Sequence, residues 1–122
     1  MKITKKDFEQ MQQKYDQEIR KGKPGRGPKR DVDNQTKWIF FDRETLEEVL
    51  SKAGKDPKKS GIKFFFTEYT EETARAFYPE NPEEYIGRLS LVMEPVDDSE
   101  GNLEGDEGDY YNRGETCPPK CE

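Results

Sequence analysis

Histidine is absent from the chain. That removes His-based triads, imidazole general bases and imidazole metal ligands, so any catalysis would have to rest on carboxylates, Lys, Tyr or Cys. Cysteine is almost absent: the two present, Cys117 and Cys121, stand beside the C-terminal end, which excludes a disulfide-rich secreted scaffold. Long hydrophobic runs are also missing. Nothing approaches the ~20 apolar residues that span a bilayer, and the opening MKITKKDF has no apolar signal-peptide segment. A cytoplasmic protein with no membrane contact is the expectation, and no cofactor signature is present.

Apolar residues are scarce, 30% against 39% charged, a balance that leans toward disorder unless the apolar residues are gathered together. They are. Ten of the fourteen aromatics lie between Trp38 and Met93, which places the folded core at 37–96. Charge is polarised along the chain: residues 1–30 carry ten Lys/Arg against four Asp/Glu, and residues 94–122 carry two against ten.

The spacing predicts a helix over 5–19, capped by Thr4, with Phe8, Met11, Tyr15 and Ile19 on one narrow stripe. The stripe docks the helix on its own core or offers a seam to a partner helix, the first being the simpler expectation. Residues 21–36 read as a basic Pro/Gly linker. Trp38–Phe41 is expected as a short strand and residues 43–53 as a helix with Asp42 at its cap and Leu46, Val49, Leu50 and Ala53 on its buried face. Residues 61–69 form a second strand, with Ile62, Phe64 and Phe66 on one face and Phe65 on the other. Thr70 and Asn81 cap two short helical segments, and residues 88–95 form a third strand with Leu89, Leu91 and Met93 inward. Two strands joined through a helix favour a right-handed parallel crossover. The acidic, Gly-rich stretch 97–122 is expected to be disordered.

The fold class that follows is α+β: a small three-stranded sheet packed against one amphipathic helix, with an additional N-terminal helix and a disordered acidic tail. The organisation is an N-terminal helix over 1–20, the linker 21–36, the core 37–96 and the tail 97–122.

Few residues carry chemistry. The pairs Glu47/Glu48, Glu71/Glu72 and Glu83/Glu84 project about 100° apart on a helix and form a solvated, dipole-matched face rather than an acid–base pair. GKPGRGPKR lacks the spacing of a phosphate loop, and the acidic run after Asp97 lacks the glycine and glutamate positions of an EF-hand. Lys21, Lys23, Arg26, Lys29 and Arg30 allow weak contact with a polyanion, although no aromatic is interleaved to stack on bases. Cys117 and Cys121 flank Pro118, Pro119 and Lys120, so two thiols are available for redox chemistry or for a metal shared between two chains. An intrachain bridge would require a turn, since polyproline geometry separates the two Cα atoms by ~12 Å.

In KWIFFDRETLEEVL, SGIKFFFTEY followed by RLSLVMEPV, and YNRGETCPPKC, the chain resembles a group of small uncharacterised proteins from the Bacteroidota with a Cys-Pro-Pro-x-Cys ending. The resemblance implies a bacterial, cytoplasmic origin and no transferable catalytic residues. Without a catalytic constellation, the expected function is a non-catalytic protein-binding or adaptor module with another protein as its partner. Thiol redox or metal-mediated dimerisation through Cys117 and Cys121 is the alternative, and nucleic-acid contact through the basic linker ranks below both.

Overall fold

A computed structural model describes residues 2–28, 30–31, 35–97, 109–112 and 115–117, with 30–31 and 115–117 described by backbone alone. In chain order the elements are β1 (Lys2–Ile3), α1 (Lys5–Gln17), a 3₁₀ turn (Ile19–Lys21), β2 (Arg26–Gly27), β3 (Arg30–Asp31), β4 (Trp38–Phe40) and α2 (Arg43–Ser51). They continue with β5 (Gly61–Glu68), α3 (Glu71–Phe77), a second 3₁₀ turn (Pro82–Glu84), β6 (Leu89–Val96), β7 (Tyr110–Tyr111) and β8 (Glu115–Cys117).

The main sheet has four antiparallel strands in the order β1-β7-β6-β5, not three. The expected parallel crossover does not occur, because β4 leaves the main sheet and pairs with β8, Trp38 opposite Cys117 and Phe40 opposite Glu115. β5 and β6 form the backbone of the sheet, running in register from Gly61 opposite Val96 to Glu68 opposite Leu89.

Beyond Glu68 the ladder ends in a bulge. Tyr69 faces two residues: its N–H donates to the Arg88 carbonyl (3.1 Å), and its carbonyl accepts from the Gly87 N–H (2.9 Å). Gly87 has φ +87°, the left-handed conformation that the first residue of such a bulge requires and that favours glycine. Counting back from Tyr69 by the period of two, Thr67, Phe65 and Lys63 turn their amides toward β6, and Ile62, Phe64 and Phe66 turn theirs outward. Pro95 is opposite Ile62, so its missing N–H costs no bond to β5. On the other edge of β6, the Gln35 side chain substitutes for a strand: its Oε1 accepts from the Leu89 N–H (2.6 Å), and its Nε2 donates to the Gly87 carbonyl (3.1 Å).

Helices cover both faces of the sheet. Thr4 accepts from the Asp7 N–H and starts α1, which buries Phe8 and Met11 against Ile3, Val92 and Tyr110. The Phe8 ring meets Phe65 edge-on at 4.8 Å and stacks on Tyr110 at 4.5 Å, so the helix stripe docks on the chain's own core. α3 joins the same layer through Ala74 and Phe77, its start held by reciprocal bonds between Thr70 and Thr73. The opposite face holds a smaller cluster, in which Val49 of α2 meets Met93 and Tyr111 with Phe41, Leu46 and Ile62 around them.

The expected inward set is corrected at several positions. Leu50, Phe64 and Phe66 are exposed, because α2 is short and covers only the Ile62 end of its face. The stretch expected to be a disordered tail contributes to the core: Tyr110, Tyr111 and Asn112 are buried. Asn112 Oδ1 accepts from the Tyr69 hydroxyl (2.9 Å), while its Nδ2 donates to Ser90 Oγ (2.8 Å) and to the Leu91 carbonyl (2.5 Å). Residues 98–108 and 118–122 lie outside the described residues.

Candidate functional site

Two features stand out from the packed core. The first is a set of aromatics left in water. In a strand, residues two apart share a face. Trp38 and Phe40 of β4 are 42% and 54% exposed, with Ile39 between them half-buried; Phe64 and Phe66 of β5 are 48% and 57% exposed, with Phe65 turned against Phe8. Each strand thus presents an aromatic pair outward. Tyr15 of α1 stacks near Phe66 at 6.1 Å and extends the β5 pair over the sheet edge. Aromatic rings are enriched at the cores of protein–protein interfaces, and paired exposure of this kind is the surface such contacts use.

The second is a buried carboxyl pair under a glycine strap. The segment 22–28, expected to be a solvated linker, crosses over the Gly87 turn. A Cβ on Gly25 would lie 1.9 Å from the Gly87 carbonyl oxygen, so only glycine permits the crossing. The Arg26 N–H donates to Glu18 Oε1 (2.7 Å), and Glu18 Oε2 accepts from Lys14 Nζ (3.0 Å). Beneath them is Glu68, whose side chain has no exposed surface; Lys14 Nζ lies 3.5 Å from its Oε2, and neither oxygen accepts a hydrogen bond from a described residue. Burial pushes the Glu68 carboxyl up to about 8, helped by the hydrogen bond and the charge of Glu18, while Lys14 pulls the other way. Burial also raises Glu18, but the proton shared from Glu68, the Arg26 N–H and Lys14 outweigh it and hold Glu18 below the usual carboxylate range. Two carboxyls so close cannot both carry charge cheaply. One proton between them would remove the conflict.

Outside the strap is a shallow cavity of about 360 Å³, lined by Lys14, Arg26, Pro28, Glu71, Arg75 and Ile86. Because Glu68 is fully covered, neither of its oxygens is offered to a substrate.

The residues singled out from sequence are not gathered into one place. Lys21, Lys23 and Arg26 are exposed on the strap and the turn before it. Lys29 and the Arg30 side chain lie outside the described residues, as does Cys121. Cys117 is described by its backbone, at the end of β8 opposite Trp38. Among the described residues no cluster of three or more acidic or thiol ligands could hold a metal ion, and no helix is long and apolar enough to cross a membrane. The carboxyl pair was missed because Glu68 stands in sequence at a strand exit beside Tyr69 and Thr70, where carboxylates are ordinarily solvated. Its period gave no signal either: Glu68 continues the alternation of Ile62, Phe64 and Phe66, and the last two are exposed.

Compared with known proteins, the chain matches no family model, no curated protein and no solved structure.

Proposed function

We propose that the chain is a non-catalytic protein-binding module whose contact surface is built from the outward aromatic pairs of β4 and β5. The observation that supports this reading is the paired exposure of Trp38 with Phe40 and of Phe64 with Phe66, each pair on one face of a strand, with Ile39 and Phe65 between them less exposed. Aromatic rings at the centre of an interface supply large contact area at a small loss of side-chain freedom and recur as anchor residues. The β5 edge adds main-chain donors and acceptors at Ile62, Phe64 and Phe66, the groups an extended peptide uses when it adds to a sheet. The partner is therefore a protein with an extended or flat apolar segment.

The test places a photo-crosslinking amino acid at Phe64 and, as a control, at the exposed Lys52 in the native host. A discrete crosslinked protein at Phe64, absent at Lys52 and lost when Phe66→Glu is added, is the expected result. Equal labelling at both positions, or none at Phe64, contradicts the reading.

A further inference from the structure

We propose that Glu68 and Glu18 form a proton-held clasp that keeps the basic strap 22–28 docked, and that loss of the shared proton releases the strap from the Gly87 turn. The geometry carries this in three steps. Among the described residues, Glu18 is the titratable side chain that ties helix to strap: its Oε1 accepts from the Arg26 N–H at 2.7 Å while its Oε2 accepts from Lys14 Nζ at 3.0 Å. Glu68 lies under the same point with its side chain fully covered, and a Cβ on Gly25 would lie 3.2 Å from Glu68 Oε2, so the strap is itself the lid over that carboxyl. Releasing the strap is then the direct way for a charged Glu68 to reach water.

The electrostatics around Glu68 do not remove the conflict. From α1 it faces Lys14 and Glu18, and Lys14 is already bonded to Glu18. The strap contributes the Arg26 backbone N–H, which is committed to Glu18, with the Arg26 side chain exposed. Opposite on β6 is uncharged Leu89, and the neighbouring Arg88 directs its Nε to the Glu84 carbonyl at 2.6 Å. Glu71 and Arg75 of α3, across the outer cavity, pair with each other at 2.9 Å. Among the described residues, Lys14 is the cation within ion-pair distance of both carboxyls, so a second negative charge is poorly compensated while the strap is down. With the proton in place, the pair carries one charge matched by Lys14. The raised affinity of Glu68 for its proton puts the changeover near neutral pH.

Release exposes Ile86 and the Gly87 turn and frees Lys23 and Arg26 from the body of the protein. The device is distinct from the aromatic surface, and neither depends on the other.

Trypsin reads the strap directly, because Arg26–Gly27 can enter a protease site only when the strap is off. Cleavage there is measured on the full chain from pH 7 to pH 9, normalised to a small peptide substrate, with cleavage after Arg75 as the monitor of global unfolding. The expected result is a rise of about tenfold in the wild type at Arg26, since the charged fraction of a carboxyl with its midpoint near 8 goes from about a tenth at pH 7 to about nine-tenths at pH 9. Cleavage after Arg75 stays slow, and Glu68→Gln stays low and flat because glutamine donates to Glu18 at every pH. A flat wild-type profile, a parallel rise after Arg75, or the same rise in Glu68→Gln overturns the proposal. Should Glu68→Gln fail to fold, carbon NMR of the side-chain carboxyls in the wild type decides: a glutamate titrating near 8 supports the clasp, and all glutamates titrating below 5.5 overturns it.

Discussion

At the scale of single residues, burial of one carboxyl governs how the protein responds to pH. Glu68 in the folded state is raised to about 8 from an ordinary 4.5, so the fold keeps a proton that the unfolded chain gives up. Such a group contributes most below pH 4.5, and its contribution falls steadily from 4.5 to 8 and then levels off. Glu18 is held low and acts with the opposite sign: its contribution is present above its unfolded value and lost in acid. Glu68→Gln should flatten the decline between pH 5 and 8 in urea unfolding midpoints and make the variant the more stable protein at pH 8.5. A decline of unchanged slope in the variant would assign the pH dependence elsewhere. Gly25 is the second residue with a sharp consequence. A methyl there meets the Gly87 carbonyl at 1.9 Å, so Gly25→Ala should cost about 1–3 kcal/mol, seen as a lower denaturation midpoint. None of this was visible in the local sequence. A glycine in a Pro/Gly-rich basic segment looks like linker, and only the approach of a distant turn, Ile86–Gly87, gives it a structural task.

Secondary-structure elements were far more legible, since their signals are local. Thr4, Asp42 and Thr70 cap α1, α2 and α3 as their side chains predict. The alternation in 61–69 and 88–95 predicts β5 and β6 correctly. What could not be read was which side of an alternating strand faces the core. Phe64 and Phe66 outnumber Phe65 in apolar weight, yet Phe65 is the one that packs, because α1 brings Phe8 to its side while α2 ends short of the other. The helices then differ in how much each face contributes. Met11 has no exposed surface, so Met11→Ala should lose about 2–5 kcal/mol. Leu50, on the predicted buried face of α2, is exposed, and Leu50→Ala should stay within about 0.5 kcal/mol of wild type. Chemical denaturation of the two variants side by side checks both.

The whole molecule draws its core from both ends of the chain. Composition pointed to the middle, where ten aromatics lie, and missed two short segments that close the sheet. Ile3 pairs with Tyr110, Lys2 with Tyr111, and Lys2 Nζ meets Asp109 at 2.6 Å. Acidic neighbours hid the Tyr-Tyr-Asn triplet at 110–112, since a window average over glycines and carboxylates outweighs three buried residues. This closure also gives the exposed aromatics their meaning. With Tyr110 and Tyr111 completing both core layers, Trp38, Phe40, Phe64 and Phe66 are not needed to cover them and remain exposed, as the proposed contact surface requires. Hydrogen exchange of the full-length chain tests that arrangement most directly. Tyr111 and Asn112 amides should exchange as slowly as those of Phe65 and Val92; exchange at the rate of an unstructured peptide would detach the 109–112 segment from the core and contradict the account.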